Sequence, residues 1–166
     1  ASIGMAAFNA LLDVDESACA ELNAEELILQ HGTGRSVAVV GHFPFVERVR
    51  RAAATCWVLE LRPQPGDLAA DRASEVLPRA DVVAITGTSL INHTFDGLIG
   101  LRRPDAFVLL LGASAPLTPT LFLRGVDAVC GTRVIDVPAV LHAVGQGATF
   151  RQIPGKRLLT MLREGQ

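Results

Sequence analysis

The sequence predicts an α/β fold: a three-layer, Rossmann-like domain with helices on both faces of a mainly parallel sheet of five or more strands. Three observations carry this reading. From Val37 onward, short apolar runs alternate with segments of helical character. The runs are continuously apolar, as expected of strands covered on both faces. The glycine-rich and polar segments follow the runs directly, where parallel sheets place their ligand loops.

Residues 2–12 are helical in pattern, with Ile3, Ala6, Ala7, Ala10 and Leu11 recurring at three- and four-residue spacings. A polar stretch and a short apolar segment, residues 25–29, precede the first strand, residues 37–40. That strand ends at Gly41, and His42-Phe43-Pro44-Phe45 leads into a helix ending near Ala54. Pro44 suits a first helical turn, where its missing N–H has no partner to lose.

Residues 56–61, 81–85, 106–111 and 128–130 are the second to fifth strands. Residues 67–77, 95–101, 118–124 and 137–144 are the helices between and after them. The tail, residues 156–162, fits a last helix or an edge strand. Numbered along the chain, the predicted sheet order is 3-2-1-4-5, with right-handed crossovers. The length, 166 residues, suits one domain over 1–166, near the common size of about 100–150. Residues 1–35 then form an N-terminal helical and linker segment.

Composition narrows the function classes. Fifteen Lys and Arg against 17 Asp and Glu leave a net charge of −2, with the basic residues dispersed. Arg48, Arg50 and Arg51 form the one dense basic cluster, read as the solvated face of a helix rather than a phosphate patch. Aromatic residues are few and tyrosine is absent, so no nucleic-acid surface is expected. No apolar run reaches the ~18–20 residues of a membrane span, so no membrane partner is expected. Cys19, Cys56 and Cys130 lie far apart without a Cys-x-x-Cys pair, which argues against a zinc knuckle or an iron–sulfur site. An odd thiol count in an apolar chain points to a reducing compartment, and the expected location is cytoplasmic.

Four strand-end loops hold the candidate chemistry: residues 41–45, 60–67, 86–92 and 112–117. The candidate ligand-binding residues are Gly41, His42, Phe43, Glu60, Asp67, Thr86, Gly87, Thr88, Ser89, Asn92, Gly112 and Ser114. His42 suits a metal ligand, a general base or a phosphate contact, or else bonds its own loop. Glu60 ends the second strand, where dinucleotide folds hold a ribose, or else it caps a helix or pairs with Arg62. Asp67 fits an N-cap better than a ligand. Thr86-Gly87-Thr88-Ser89 offers N–H groups and hydroxyls to an anion, though Thr88 and Asn92 also suit helix caps. Ser114 lacks the Gly-x-Ser-x-Gly elbow of a hydrolase and is not assigned catalysis.

Two apparent motifs fail on position. Gly32-Thr33-Gly34 precedes the first strand, whereas a dinucleotide fingerprint follows it. The loop that does follow carries one glycine and bulky neighbours, so NAD and FAD are disfavoured. His31, His42, His93 and His142 show no paired spacing on one helix face.

Five segments in order (residues 3–11, 39–45, 60–67, 85–94 and 111–117) carry a wider likeness, joined by Gly125-Val126-Asp127 and Gly131. The chain resembles the heavy-metal-chelation family, whose name is itself an inference. Its members join an enolase-like N-terminal part to a Rossmann-like C-terminal domain. The resemblance implies a site between the two parts, and against that pattern these 166 residues are expected to lack most of the enolase-like part. His93 stands where a glycine is more usual.

Three functions follow. The first is binding of a divalent transition metal or metal chelate, with His42, Glu60, Asp67 and His93 as ligands. Such donors suit zinc, nickel, cobalt or iron. The second is an enzyme acting on a small anionic or nucleotide-like ligand. The third is a subunit that docks an enolase-like partner domain. A homodimer is expected through the apolar N-terminal helix. Finally, His42, Glu60, residues 86–89, Asn92 and Ser114 are expected to line one cleft.

Overall fold

The apolar runs assemble into one eight-stranded sheet in the computed structural model, which describes residues 1–164. Helix α1 (Ser2–Leu11) leads through a 3-10 turn (Glu16–Ala18) to strand β1 (Cys19–Ala20). Helix α2 (Ala24–Gly32) follows, capped by the Asn23 side chain, which accepts from Glu25 N. Next come β2 (Ser36–Val40), α3 (Val46–Ala52), β3 (Thr55–Glu60) and β4 (Leu68–Ala69). A 3-10 turn (Ala70–Arg72) enters α4 (Ala73–Val76), ahead of β5 (Val82–Thr86). Helices α5 (Thr88–Ile91) and α6 (Phe95–Leu101) precede β6 (Phe107–Leu111). A 3-10 helix (Pro119–Arg124), β7 (Ala128–Val134), α7 (Val137–Gly145) and β8 (Lys156–Leu162) complete the chain.

The spatial order is β1-β8-β7-β6-β5-β2-β3-β4. The run from β7 to β4 is parallel, while β8 lies antiparallel to both β7 and β1. The α/β class and the mainly parallel sheet therefore hold, but the predicted order does not. The five strands foreseen run 2-1-3-4-5, not 3-2-1-4-5.

The physical reason lies in the two faces. Helices α2 and α3 bury Leu27, Ile28, Val46 and Val49 against Val37, Val39, Val58 and Ala84 on one face. Helices α4 and α6 bury Val76, Phe95 and Ile99 against Ala38, Val83, Ile85 and Leu110 on the other. A right-handed crossover over the opposite face advances in the opposite direction along the sheet. The α3 crossover carries the chain from β2 outward to β3. The α4 crossover then returns it to the far side of β2 as β5. The order reverses between β2 and β5.

Two further elements differ from expectation. The helix foreseen over residues 67–77 is broken: Asp67 stays in a loop, and β4, two 3-10 turns and one short α-helical turn follow. The tail is a strand, and it lies inside the sheet between β7 and β1 instead of at an edge. Its seven-residue pairing with β7 extends that strand to Val134. Among the described residues, no helix is long and apolar enough to cross a membrane.

Candidate functional site

Backbone turns shape the site. Gly41 ends β2 with φ 102°, a conformation side chains disfavour, and its N–H donates to Leu59 O at 2.8 Å. After β5, Gly87 crosses so close to the loop after β6 that an added Cβ would lie 2.6 Å from Ala115 N. These turns leave a cleft of about 230 Å³ at the carboxyl ends of β2, β3 and β5, where the strand order reverses. Open α/β sheets bind ligands at such a reversal.

The loop after β2 supplies Gly41, His42 and Phe43, and the end of β3 supplies Leu59, Glu60 and Leu61. Thr86, Thr88, Ser89, Asn92, Thr94 and Leu98 form the opposite wall. Phe43 is stacked on Phe45 with ring centroids 5.1 Å apart, which stiffens its side of the cleft.

Glu60 joins two strand ends. One carboxylate oxygen accepts from His42 N at 2.9 Å, and the other from Leu61 N at 2.7 Å. Asp67 lies behind His42. Its Oδ2 is 2.8 Å from His42 Nδ1 and accepts from Gln64 N at 3.1 Å. Its Oδ1 accepts from Arg50 Nη2 at 3.0 Å. The Asp67 side chain is 0% exposed and that of His42 29%. Burial alone would push the Asp67 carboxyl up. The hydrogen bonds from His42, Gln64 and Arg50 outweigh it and hold the group below the usual carboxylate value. An ionised carboxylate only accepts, so the partner it can bind at His42 Nδ1 is an N–H. In the neutral ring this leaves a lone pair on Nε2, which makes no hydrogen bond to the described residues.

On the other wall, Thr86 Oγ1 and Thr88 Oγ1 are 2.9 Å apart. The buried Ser89 hydroxyl donates to Thr86 O at 2.7 Å, so it supports the turn. Asn92 Oδ1 accepts from Thr94 N and Thr94 Oγ1 at 3.2 and 2.7 Å, leaving its amide nitrogen for other partners.

The structure thus gathers Gly41, His42, Phe43, Glu60, Thr86, Thr88, Ser89 and Asn92 around one cleft. Gly87, Asp67, Gly112 and Ser114 are not among its lining residues. Ser114 follows β6, which β5 separates from β2, and its carbonyl accepts from Asn9 of α1 at 3.3 Å. The revised strand order accounts for its absence. His93 adopts a left-handed φ of 62° and lines a separate hollow with Phe95, Asp96 and Arg124. Among the described residues, no group of three or more His, Cys, Asp or Glu side chains is disposed to hold a metal ion. Hence His42, Glu60, Asp67 and His93 do not form a ready ligand set. Burial raises the Cys56 and Cys130 thiols to about 11 each, so neither is a thiolate at neutral pH.

Arg50 was missed by sequence reading, because three nearby arginines on a helix look like a solvated face. The available signal was Gly66 beside Asp67. With φ 90°, Gly66 presents its bare Cα to the guanidinium, and an added Cβ would lie 3.4 Å from Arg50 Nη1.

Proteins of solved structure share this fold. The profile of the DUF364 family, described as "Putative heavy-metal chelation", matches residues 23–163. An uncharacterized protein of Methanocaldococcus jannaschii is 30% identical over 125 residues, which are 72% of this chain and 48% of that protein. The chain therefore spans about half the length of that curated relative. A Desulfitobacterium hafniense protein of unknown function from the same family has a solved structure with TM-score 0.78 and 27% identity. The match covers 85% of this chain and 57% of that one. A Pyrococcus horikoshii family member, also of unknown function, superimposes with TM-score 0.82 at 19% identity, covering 97% and 68%. At that identity the likeness speaks for the fold alone.

Proposed function

The chain belongs to the DUF364 family, and from that premise we propose that it binds a divalent transition metal held in a small chelating molecule. The cleft at the β2–β5 reversal receives the complex, and His42 Nε2 supplies a protein ligand. The observation that carries this reading is the His42 ring. It lines the cleft, its Nδ1 is committed to Asp67, and its Nε2 is open. A neutral imidazole nitrogen is a good donor to zinc, nickel, cobalt or iron.

Among the described residues no three-residue ligand set stands ready, which favours a chelate over a bare ion, since the small molecule brings the other donors. Thr86, Thr88 and Asn92 offer hydrogen bonds to its polar rim, while Phe43, Leu59 and Leu98 cover its apolar part. The side chains lining the cleft include a carboxylate and an imidazole but neither Lys nor Arg. A polyanionic nucleotide would find no counter-charge there, whereas a metal centre suits an electron-rich wall.

The test is calorimetry on the untagged chain with Co²⁺ alone and with Ni²⁺–nitrilotriacetate, whose metal retains open positions. Saturable binding that His42→Ala abolishes and His142→Ala leaves intact is the expected result. Equal binding by the wild type and His42→Ala overturns the reading.

Helix α1 buries none of its residues, and Ile3 and Leu11 are each 86% exposed. This bare face fits cover by an enolase-like domain or by a second copy of the chain in a homodimer. Light scattering that returns the monomer mass of 17.6 kDa at every concentration removes the homodimer. The three free cysteines suit a reducing, cytoplasmic setting.

A further inference from the structure

We propose that Asp67 and Arg50 are positioning residues that lock His42 in the Nδ1–H form and aim its Nε2 lone pair into the cleft. The inference rests on the metal-chelate reading for its purpose, but its physical content is a tautomer that exists with or without metal.

Three segments converge on one fully buried carboxylate. The His42 ring comes from the loop after β2, Gln64 N from the β3–β4 loop, and the Arg50 guanidinium from the last turn of α3. The guanidinium is itself held. It donates to Gly66 O at 2.9 Å and to Glu47 Oε1 at 2.6 Å, so its fork is set before it meets Asp67. A carboxylate fixed in this way can only accept. It therefore selects the ring orientation and tautomer that place N–H at Nδ1. A histidine held by a carboxylate through one nitrogen while the other meets a metal is a recurrent arrangement, and it makes the ligating nitrogen more basic. Without Asp67, the free ring would exchange tautomers and turn, and its lone pair would face the cleft only part of the time.

A plain structural clamp between the β3–β4 loop and α3 needs only the bonds from Gln64 and Arg50 to Asp67, and it leaves the place of the ring proton open. The ¹⁵N NMR signature of the imidazole separates the two. It is read on the metal-free chain at about pH 8. The wild type is expected to show His42 with a protonated Nδ1 and an unprotonated Nε2. Asp67→Asn has nearly the same shape but offers an amide donor to the ring, and is expected to move the proton toward Nε2. It should also weaken Co²⁺ and Ni²⁺–nitrilotriacetate binding about 10–100-fold, the usual cost of losing an outer partner of a metal-binding histidine. Asp67→Glu restores the acceptor and should recover part of both signals. Arg50→Gln should give a smaller shift in the same direction.

A wild-type ring protonated at Nε2 overturns the inference without recourse to any variant, as does an unchanged signature in a folded Asp67→Asn chain. If instead the tautomer behaves as stated and His42→Ala still binds both metal probes as the wild type does, the positioning inference stands. The metal-chelate reading then falls.

Discussion

The two edges of the sheet solve the same problem and end in different states. At the amino edge, Asp81 accepts from Ser36 N and Ser36 Oγ at 2.9 and 2.5 Å and from Arg103 at 2.8 Å. Nearby, buried Asp127 accepts from Val108 N at 2.8 Å and pairs with Arg163. At the carboxyl edge, Glu60 and Asp67 likewise take backbone N–H groups, and Asp67 takes an arginine. Buried N–H groups need acceptors, so both edges use carboxylates to satisfy strand ends. The difference is what remains. The amino edge closes on arginines. The carboxyl edge binds an imidazole by one nitrogen, leaves the other open, and hollows a cleft beside it. A buried carboxylate by itself does not mark a site. A group with capacity left over does.

The largest expected break between the edges is in stability. Asp127→Ala removes the acceptor of the buried Val108 N–H and should cost about 3 kcal/mol. Urea unfolding measures the loss, and Ni²⁺–nitrilotriacetate binding should not change. A matching loss of binding would mean that the edges are coupled.

Next in size is Gly87→Ala, which brings a methyl group within 2.6 Å of Ala115 N, a backbone atom with little freedom to move. The expected cost is about 1–3 kcal/mol, typical of overpacking. Thermal unfolding reads that cost, and weaker binding of the chelate probe reads displacement of Thr86 and Thr88.

A smaller effect sharpens the likeness of the edges through pH. Side-chain and backbone hydrogen bonds from Ser36 hold the Asp81 carboxyl below its ordinary value. The Asp67 carboxyl is low as well, because its hydrogen bonds outweigh burial. A depressed folded value stabilises above the unfolded value of about 3.9 and is lost as pH falls through the folded value. Urea midpoints should thus fall from about pH 4 downward. Asp67→Asn and Asp81→Asn should each flatten that decline. A variant that declines as steeply as the wild type would show that its carboxylate is not held. The smallest effect belongs to the exposed Arg72–Glu75 pair, at 50% and 60% exposure. Arg72→Ala should leave both stability and binding unchanged, as is usual for exposed pairs.

Much of the cleft was legible from residue order. His42, Glu60, Thr86 and Asn92 each follow a continuous apolar run, and a parallel sheet brings such positions to one edge. Ser114 follows such a run too, yet it stands apart, because the edge is longer than one cleft and strand order decides which loops meet. Asp67 looked like a helix cap because Pro65-Gly66 precedes it and apolar residues follow. Its partners, His42 and Arg50, are 25 and 17 residues away, beyond any local pattern. Arg50 differs from Arg48 only in direction: Arg48 is 69% exposed beside Glu25, and Arg50 is 24% exposed against Asp67.

Read alone, the 166 residues determined the α/β class, the strands that form the centre of the sheet, the edge that carries polar loops, and the family. Each of these follows from local hydrophobicity, turn residues or motif order. The tertiary structure decided the strand order, the place of the tail within the sheet, and the partners of the buried carboxylates. Strands such as Phe107–Leu111 are buried along their whole length, so both faces are apolar and neither is marked for a particular helix. A crossover's direction depends on the face its helix covers. That choice is made only when α3 and α4 pack on opposite sides, and it puts β5, not β6, beside β2.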